Sequence, residues 1–288
     1  MAYLSKAQAR VALRAAIQTR RQANVAIDSP INVFDFAEKL GIEVKFAGIG
    51  SFGGMWVKQP KTILVPSQQP PGRQAFTCAH ELGHWCFGHG TKVDLIDCQE
   101  AWTSNDEEEL LANAYGGFLL MPIWTFKRCF ERRQWTIGKC SPLQVFTIAG
   151  QLGVSYEALI KHACFSLDLM SRKHSDELLS TTPRKIASQV MPNHNGSRLL
   201  VIDSAWETVP IDLQVGEYAA LPRDTQFIGK CVRLVASYDQ SKIVEAMTPG
   251  MDRVWTKKPD WSAFVRVCRK EFEGRSTYRH LEDPDSHE

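Results

Sequence analysis

The sequence predicts an α+β chain in two parts, helices around a small sheet followed by a β-rich region. Three observations carry this. Apolar residues recur at helical spacing in several capped segments before residue 165, and three short strand-like runs lie between Gly41 and Pro66. Beyond a polar stretch at 171–197, the apolar residues gather again in short runs typical of strands. The domain reading is therefore 1–170, with a helical hairpin at 141–164, a linker at 171–197, and a β-rich domain at 198–288.

Taken in order, Ser5 caps an alanine-rich helix whose solvent face carries Arg10, Arg14, Arg20 and Arg21. A second helical pattern runs from Asn32 to Leu40 and stops at Gly41. Ile42–Phe46, Gly54–Val57 and Thr62–Pro66 follow as strands separated by Gly- and Pro-rich turns. A helix then carries Phe76 to His84. The acidic run Asp106–Glu109 opens another helix that ends at Met121-Pro122, since carboxylates in a first turn suit the positive end of the helix dipole. Ser141-Pro142 is an N-cap with proline at the first helical position, and two short helices around Gly153 fit either a helix-turn-helix or a plain hairpin. Leu199–Ile202, Tyr218–Leu221, Cys231–Val235 and Phe264–Val267 are the strand-like runs of the last region, where Trp206, Trp255 and Trp261 read as core or rim residues.

Composition narrows the function classes. With 34 basic and 32 acidic residues the net charge is +2, so nucleic acid can be contacted only through local patches. Eight scattered cysteines, no apolar leader and no run of about 18 apolar residues point to a cytoplasmic protein with no membrane partner.

The residues with the clearest chemistry are His80, Glu81 and His84. Positions i and i+4 share a helix face, so both imidazoles reach one Zn²⁺ while Glu81 faces a water on that ion. Zinc lowers the pKa of water and polarises a carbonyl, and a neighbouring carboxylate moves the proton. A third ligand is needed. His89 is one place short of the histidine that a known spacing requires, and Phe87 stands where that spacing has glycine. Glu109 is the better choice, with Asn113 one turn further on the same face to support a ligand by hydrogen bonding, and Glu107 and Glu108 are the fallbacks.

His80-Glu81-Leu82-Gly83-His84, joined to Glu109, Ala112-Asn113, Tyr115 and Leu119-Leu120-Met121-Pro122, resembles the ImmA/IrrE family of bacterial regulatory metallopeptidases over roughly residues 1–165. The resemblance implies a zincin-like fold with His80, His84 and Glu109 holding zinc, for which manganese can substitute, and Glu81 as catalytic base. It also implies a helix-turn-helix transcriptional repressor as substrate, cleaved to induce stress, mobile-element or antiphage genes. The family usually has Phe-Ala where this chain has Tyr115-Gly116, a departure expected to loosen helix packing or to bring a hydroxyl to the site. The β-rich region looks like the sensor-type modules appended to some members.

Further residues follow from their types. Cys98, between the two ligand-bearing helices, is a candidate inhibitory fourth ligand, because a thiolate would displace the catalytic water. Lys127, Arg128, Arg132, Arg133 and Trp135 interleave cations with aromatics, as single-stranded DNA acting as an activator would require, although a solvated helix face has the same pattern. The resulting expectation is a zinc metalloendopeptidase that cleaves a repressor, and the alternative is a DNA-responsive binding protein with a structural metal.

Overall fold

The computed structural model describes residues 5–49, 52–91, 93–95, 106–258 and 260–281. Two compact units divide the chain: Met1–Arg128 with Leu152–Val154 and Glu273–Ser276, and Cys129–Gln151 with Ser155–Phe272 and Thr277–Glu288. Among the described residues no helix is long and apolar enough to cross a membrane.

The first unit runs α1 (Lys6–Gln22), α2 (Val33–Lys39), β1 (Glu43–Ala47), β2 (Phe52–Val57), β3 (Thr62–Pro66), α3 (Pro71–Phe87), β4 (Val93–Leu95) and α4 (Glu107–Leu120), and α5 (Ile123–Glu131) begins in it. Local chemistry sets the boundaries. The Ser5 hydroxyl accepts from Gln8 N and the Gln8 side chain from Ser5 N, a reciprocal cap that starts α1, and Asn32 caps α2 through Phe34 N and Asp35 N. The strands make one sheet in the order β13-β1-β3-β2-β4, in which β1 and β3 are parallel and β13 (Gly274–Arg275) pairs antiparallel with β1. Helix α3 packs against β2 and β3 on one side and α4 on the other, and its residues Cys78, Ala79 and Leu82 are fully buried.

The α3–α4 contact is closer than ordinary side chains allow. A Cβ on Gly83 would lie 2.9 Å from Ala112 Cα, and one on Gly116 would lie 3.2 Å from His80 N. Each glycine costs about 1 kcal/mol of helix propensity. In return the two backbones come together. The expectation that Tyr115-Gly116 loosens this packing is thus reversed at Gly116, and the Tyr115 ring is fully buried, edge-on to Phe87 at 5.8 Å.

Arg20 also departs from the solvated basic face read from sequence, being 1% exposed. Its Nε and Nη2 donate to Leu119 O at 3.1 and 2.7 Å, and its Nη1 to Ala26 O and Ser29 O at 3.1 and 2.8 Å. A carbonyl near the C-terminal end of α4 is thereby satisfied by a cation, where the helix dipole is negative. Burial pushes the guanidinium pKa down to about 10, which leaves it charged at neutral pH.

The second unit holds α6 (Pro142–Gln151), α7 (Tyr156–Lys161), α8 (Arg172–Leu179) and α9 (Pro183–Val190). Its strands are β5 (Leu199–Val201), β6 (Ile211–Gln214), β7 (Tyr218–Pro222), β8 (Gln226–Ile228), β9 (Val232–Ser237), β10 (Ser241–Ala246), β11 (Gly250–Thr256) and β12 (Trp261–Cys268). They form two four-stranded sheets, β5-β7-β10-β9 and β6-β12-β11-β8. A core of Leu200, Ile202, Leu221, Val244, Val254, Val265 and Val267 is shared by strands of both sheets, and it includes Trp206 and Trp261, whose Nε1 groups donate to Val209 O and Trp206 O. Burial raises the Asp212 carboxyl, but the guanidinium groups of Arg266 and Arg279 outweigh it and bring its pKa down to about 2.

The segment 171–197, read from sequence as a linker, is mostly helical. Ser171 accepts from His174 N to cap α8, Thr182 accepts from Lys185 N to cap α9, and Ser175, Leu178, Ile186 and Ala187 are buried. Short amphipathic helices need only one or two inward apolar residues per turn, so their composition is as polar as a linker's. The hairpin at 141–164 is present as α6 and α7 with the turn at Gly153, but α6 and α7 fall in the second unit, so the division differs from the expected boundary at 170. Replacing Arg20 by Leu removes both guanidinium donors from the Leu119 carbonyl and leaves the Ala26 and Ser29 carbonyls with only Ser29 N and Thr125 Oγ1; a loss of about 3 kcal/mol is expected in urea unfolding.

Candidate metal centre

His80 and His84 lie one turn apart on α3, which begins with Pro71 at its first position and ends at Gly88, whose φ of +70° is the left-handed stop that glycine tolerates best. Glu109 is the third residue of α4, after Asp106, whose side chain accepts from Glu108 N at 2.9 Å. The ligand atoms converge. His80 Nε2 is 2.9 Å from His84 Nε2 and 3.3 Å from Glu109 Oε2, and His84 Nε2 is 3.4 Å from Glu109 Oε1. Ligands held about 2.1 Å from a tetrahedral zinc are roughly 3.4 Å apart, so the two imidazoles and the carboxylate are spaced for three corners of such a site. His80, His84 and Glu109 are the single cluster of this kind among the described residues.

Electrostatics agrees with the geometry. Burial raises the Glu109 carboxyl, but the hydrogen bonds and charge of His80 and His84 outweigh it and hold it well below the usual carboxylate range. The carboxyl is therefore an anion at neutral pH, ready to meet a cation. Asn113 Oδ1 lies 2.8 Å from His80 Nδ1, the ring nitrogen turned away from the cluster, and so fixes the tautomer that leaves Nε2 as a lone pair. The donor set, two imidazoles and one carboxylate, suits a divalent ion with a fourth position left for water.

Glu81 is 1% exposed, and its carboxylate lies against β2. A Cβ on Gly54 would sit 2.7 Å from Glu81 Oε1 and 2.5 Å from Thr77 Cγ2, so only glycine lets this strand approach the acid so closely. Thr77 anchors the strand by donating to Gly53 O at 3.3 Å.

Residues 37–163 match a peptidase family described as the IrrE N-terminal-like domain. A curated relative, the radiation response metalloprotease IrrE of Deinococcus radiodurans, is 31% identical over 94 residues, which are 32% of this chain and 29% of that protein. Residues 37–163 thus match the ImmA/IrrE metallopeptidase family. This chain's match thus spans under a third of the IrrE relative's length. A solved structure of a Mycobacterium tuberculosis transcriptional regulator is 18% identical, covering 52% of this chain and 45% of that one at a TM-score of 0.34, too low to establish a common fold.

Within the ImmA/IrrE region the structure brings His80, His84, Glu109 and Asn113 together, and Glu107 and Glu108 contribute no atom to the cluster. Cys98 lies outside the described residues. The candidate nucleic-acid residues are engaged elsewhere: Arg128 is paired with Asp28, Arg132 with Glu207 at 3.0 Å, and Arg133 with Asp203 at 2.7 Å. Arg133 is 2% exposed at its side chain and lies over Trp135 at 5.4 Å. Each of these three guanidinium groups is thus paired with a carboxylate. Sequence reasoning missed the approach of Gly54 to Glu81, whose signal is a glycine inside a strand, and weighed His89 only as a ligand, whereas its Nδ1 lies 2.9 Å from His84 Nδ1. Replacing Asn113 by Ala is expected to weaken zinc binding about 10–100-fold, measured by competition with a chromogenic chelator.

Proposed function

We propose that the chain is a zinc-dependent endopeptidase of zincin-like architecture that cuts a helix-turn-helix transcriptional repressor and so releases stress or defence genes. The observation that carries this reading is the convergence of His80, His84 and Glu109 within ligand distance of one another, with Glu81 buried on the same helix as the histidines. A purely structural zinc site closes its shell with four protein ligands, whereas three ligands from two helices leave a position open for catalysis. The substrate class follows from the family resemblance, and the β-rich part of the chain is assigned the sensing of a signal such as DNA.

The chemistry divides among the residues present. Zinc, when bound, supplies Lewis acidity toward the scissile carbonyl and makes water a nucleophile near neutral pH. Glu81 takes the proton from the attacking water and returns it to the leaving amine nitrogen. Burial helps it do so, because a carboxylate away from bulk water does not lose its partner proton to solvent before the peptide bond breaks. Asn113 keeps His80 in its tautomer throughout, and Gly54 leaves the room in which the Glu81 carboxylate stands.

Glu81→Gln removes the base while leaving all three ligands. Incubated with a helix-turn-helix repressor encoded beside its own gene, the unaltered protein should yield discrete fragments on a gel, and the variant none at equal zinc content. Cleavage by zinc-loaded Glu81→Gln would return the metal to a structural role.

A further inference from the structure

We propose that His89 is a positioning residue for the metal ligand His84, accepting the His84 Nδ1–H hydrogen and so holding that ring with its Nε2 lone pair turned toward His80 and Glu109. The inference rests on the metal-centre reading above and adds to it a residue that neither the spacing of the motif nor the ligand cluster singles out. His84 Nδ1 and His89 Nδ1 are 2.9 Å apart, a hydrogen-bond distance between one donor and one acceptor. His84 Nε2, on the other side of the same ring, is the atom that meets His80 Nε2 at 2.9 Å and Glu109 Oε1 at 3.4 Å. An imidazole that offers a lone pair at Nε2 and is neutral must carry its hydrogen at Nδ1. His89 is the group placed to receive it.

Three features hold the acceptor in place. The left-handed Gly88 turns the chain at the end of α3, and His89 N then donates to His84 O at 3.0 Å, so that the fifth residue after His84 returns to it. The His89 ring stacks on Phe87 with centroids 5.6 Å apart and planes at 28°. Phe87 in turn rests edge-on against the buried Tyr115 at 5.8 Å. His80 is served in the same way by Asn113 Oδ1 at 2.8 Å, so each imidazole of the pair has its own acceptor at Nδ1, one an amide and the other a histidine. The same geometry argues against His89 as a ligand, because its Nδ1 is directed at the outer nitrogen of His84 and not into the cluster.

The parallel with Asn113 supplies the test. Zinc alone is titrated into the full chain by competition with a chromogenic chelator, for the unaltered protein, His89→Ala, His89→Gln and, as a control, Glu109→Ala. Melting of the metal-free proteins is followed in parallel, and the imidazole tautomers of the zinc-loaded proteins are read by long-range nitrogen–proton NMR. His89→Ala should bind zinc about 10–100-fold more weakly and lose the protected His84 Nδ1–H signal. His89→Gln, whose Oε1 accepts a hydrogen as Asn113 Oδ1 does, should recover most of both. Unchanged affinity in His89→Ala overturns the proposal, and so does a Gln variant as weak as the Ala variant, which would make His89 a ligand or a packing residue. If Glu109→Ala loses zinc while His89→Ala does not, only the role of His89 falls; if the unaltered chain binds no zinc, the metal-centre reading falls with it.

Discussion

The backbone-to-backbone approach of α3 and α4 is the constraint on which the site depends. Helices that meet through ordinary side chains stand 8–10 Å apart. Here Gly83 faces Ala112, and Gly116 faces Ala79 and His80, at distances where an added Cβ would press on backbone atoms. That proximity lets a short carboxylate at the start of α4 reach both imidazoles of α3, and it places Asn113 against His80 from the same helix. Arg20 steadies the far end of α4 by donating twice to Leu119 O. The histidines come from one helix, while two glycines and a buried arginine bring Glu109 within range of both.

Much of this centre is legible in the chain because it follows helical arithmetic. His80 and His84 share a face by spacing alone, and Glu109 and Asn113 share one by the same rule. His89 is different. Its contact with His84 depends on the left-handed Gly88 and on how a ring turns against Phe87, and periodicity describes neither. Gly54 reads as the first residue of a strand, and the alternation of a strand does not show that it lies against Glu81. Arg20 reads as one more cation of a basic face, since charge patterning does not register a guanidinium whose partners are main-chain carbonyls.

The same limits explain the rest of the fold. β3 at Thr62–Pro66 is a compact apolar run and is plain from sequence, whereas β10 and β11 mix Lys, Glu, Asp and Arg with the apolar residues and were not anticipated. In β11 the burial alternates strictly, with Gly250, Asp252, Val254 and Thr256 inward, and the inward aspartate disguises the pattern. Asp252 is tolerated there because its Oδ2 accepts from Cys231 N and Val232 N. α8 and α9 were hidden for the opposite reason, since so few of their residues need to be apolar.

The strand β13 has a bearing on how the protein can be dissected. Gly274 and Arg275 lie some 150 residues after α4 in the sequence, yet they close the β1 edge of the first unit's sheet, Arg275 pairs with Glu43, and Ser276 donates to Glu38. A fragment trimmed after α4 would expose the main-chain donors and acceptors on that edge of β1, take the Ser276 hydroxyl from Glu38 and leave Glu43 with Lys45 alone. Such an open border invites self-association. The region that holds α3 and α4 is thus not a contiguous, detachable module: its outermost ribbon is borrowed from Gly274–Arg275.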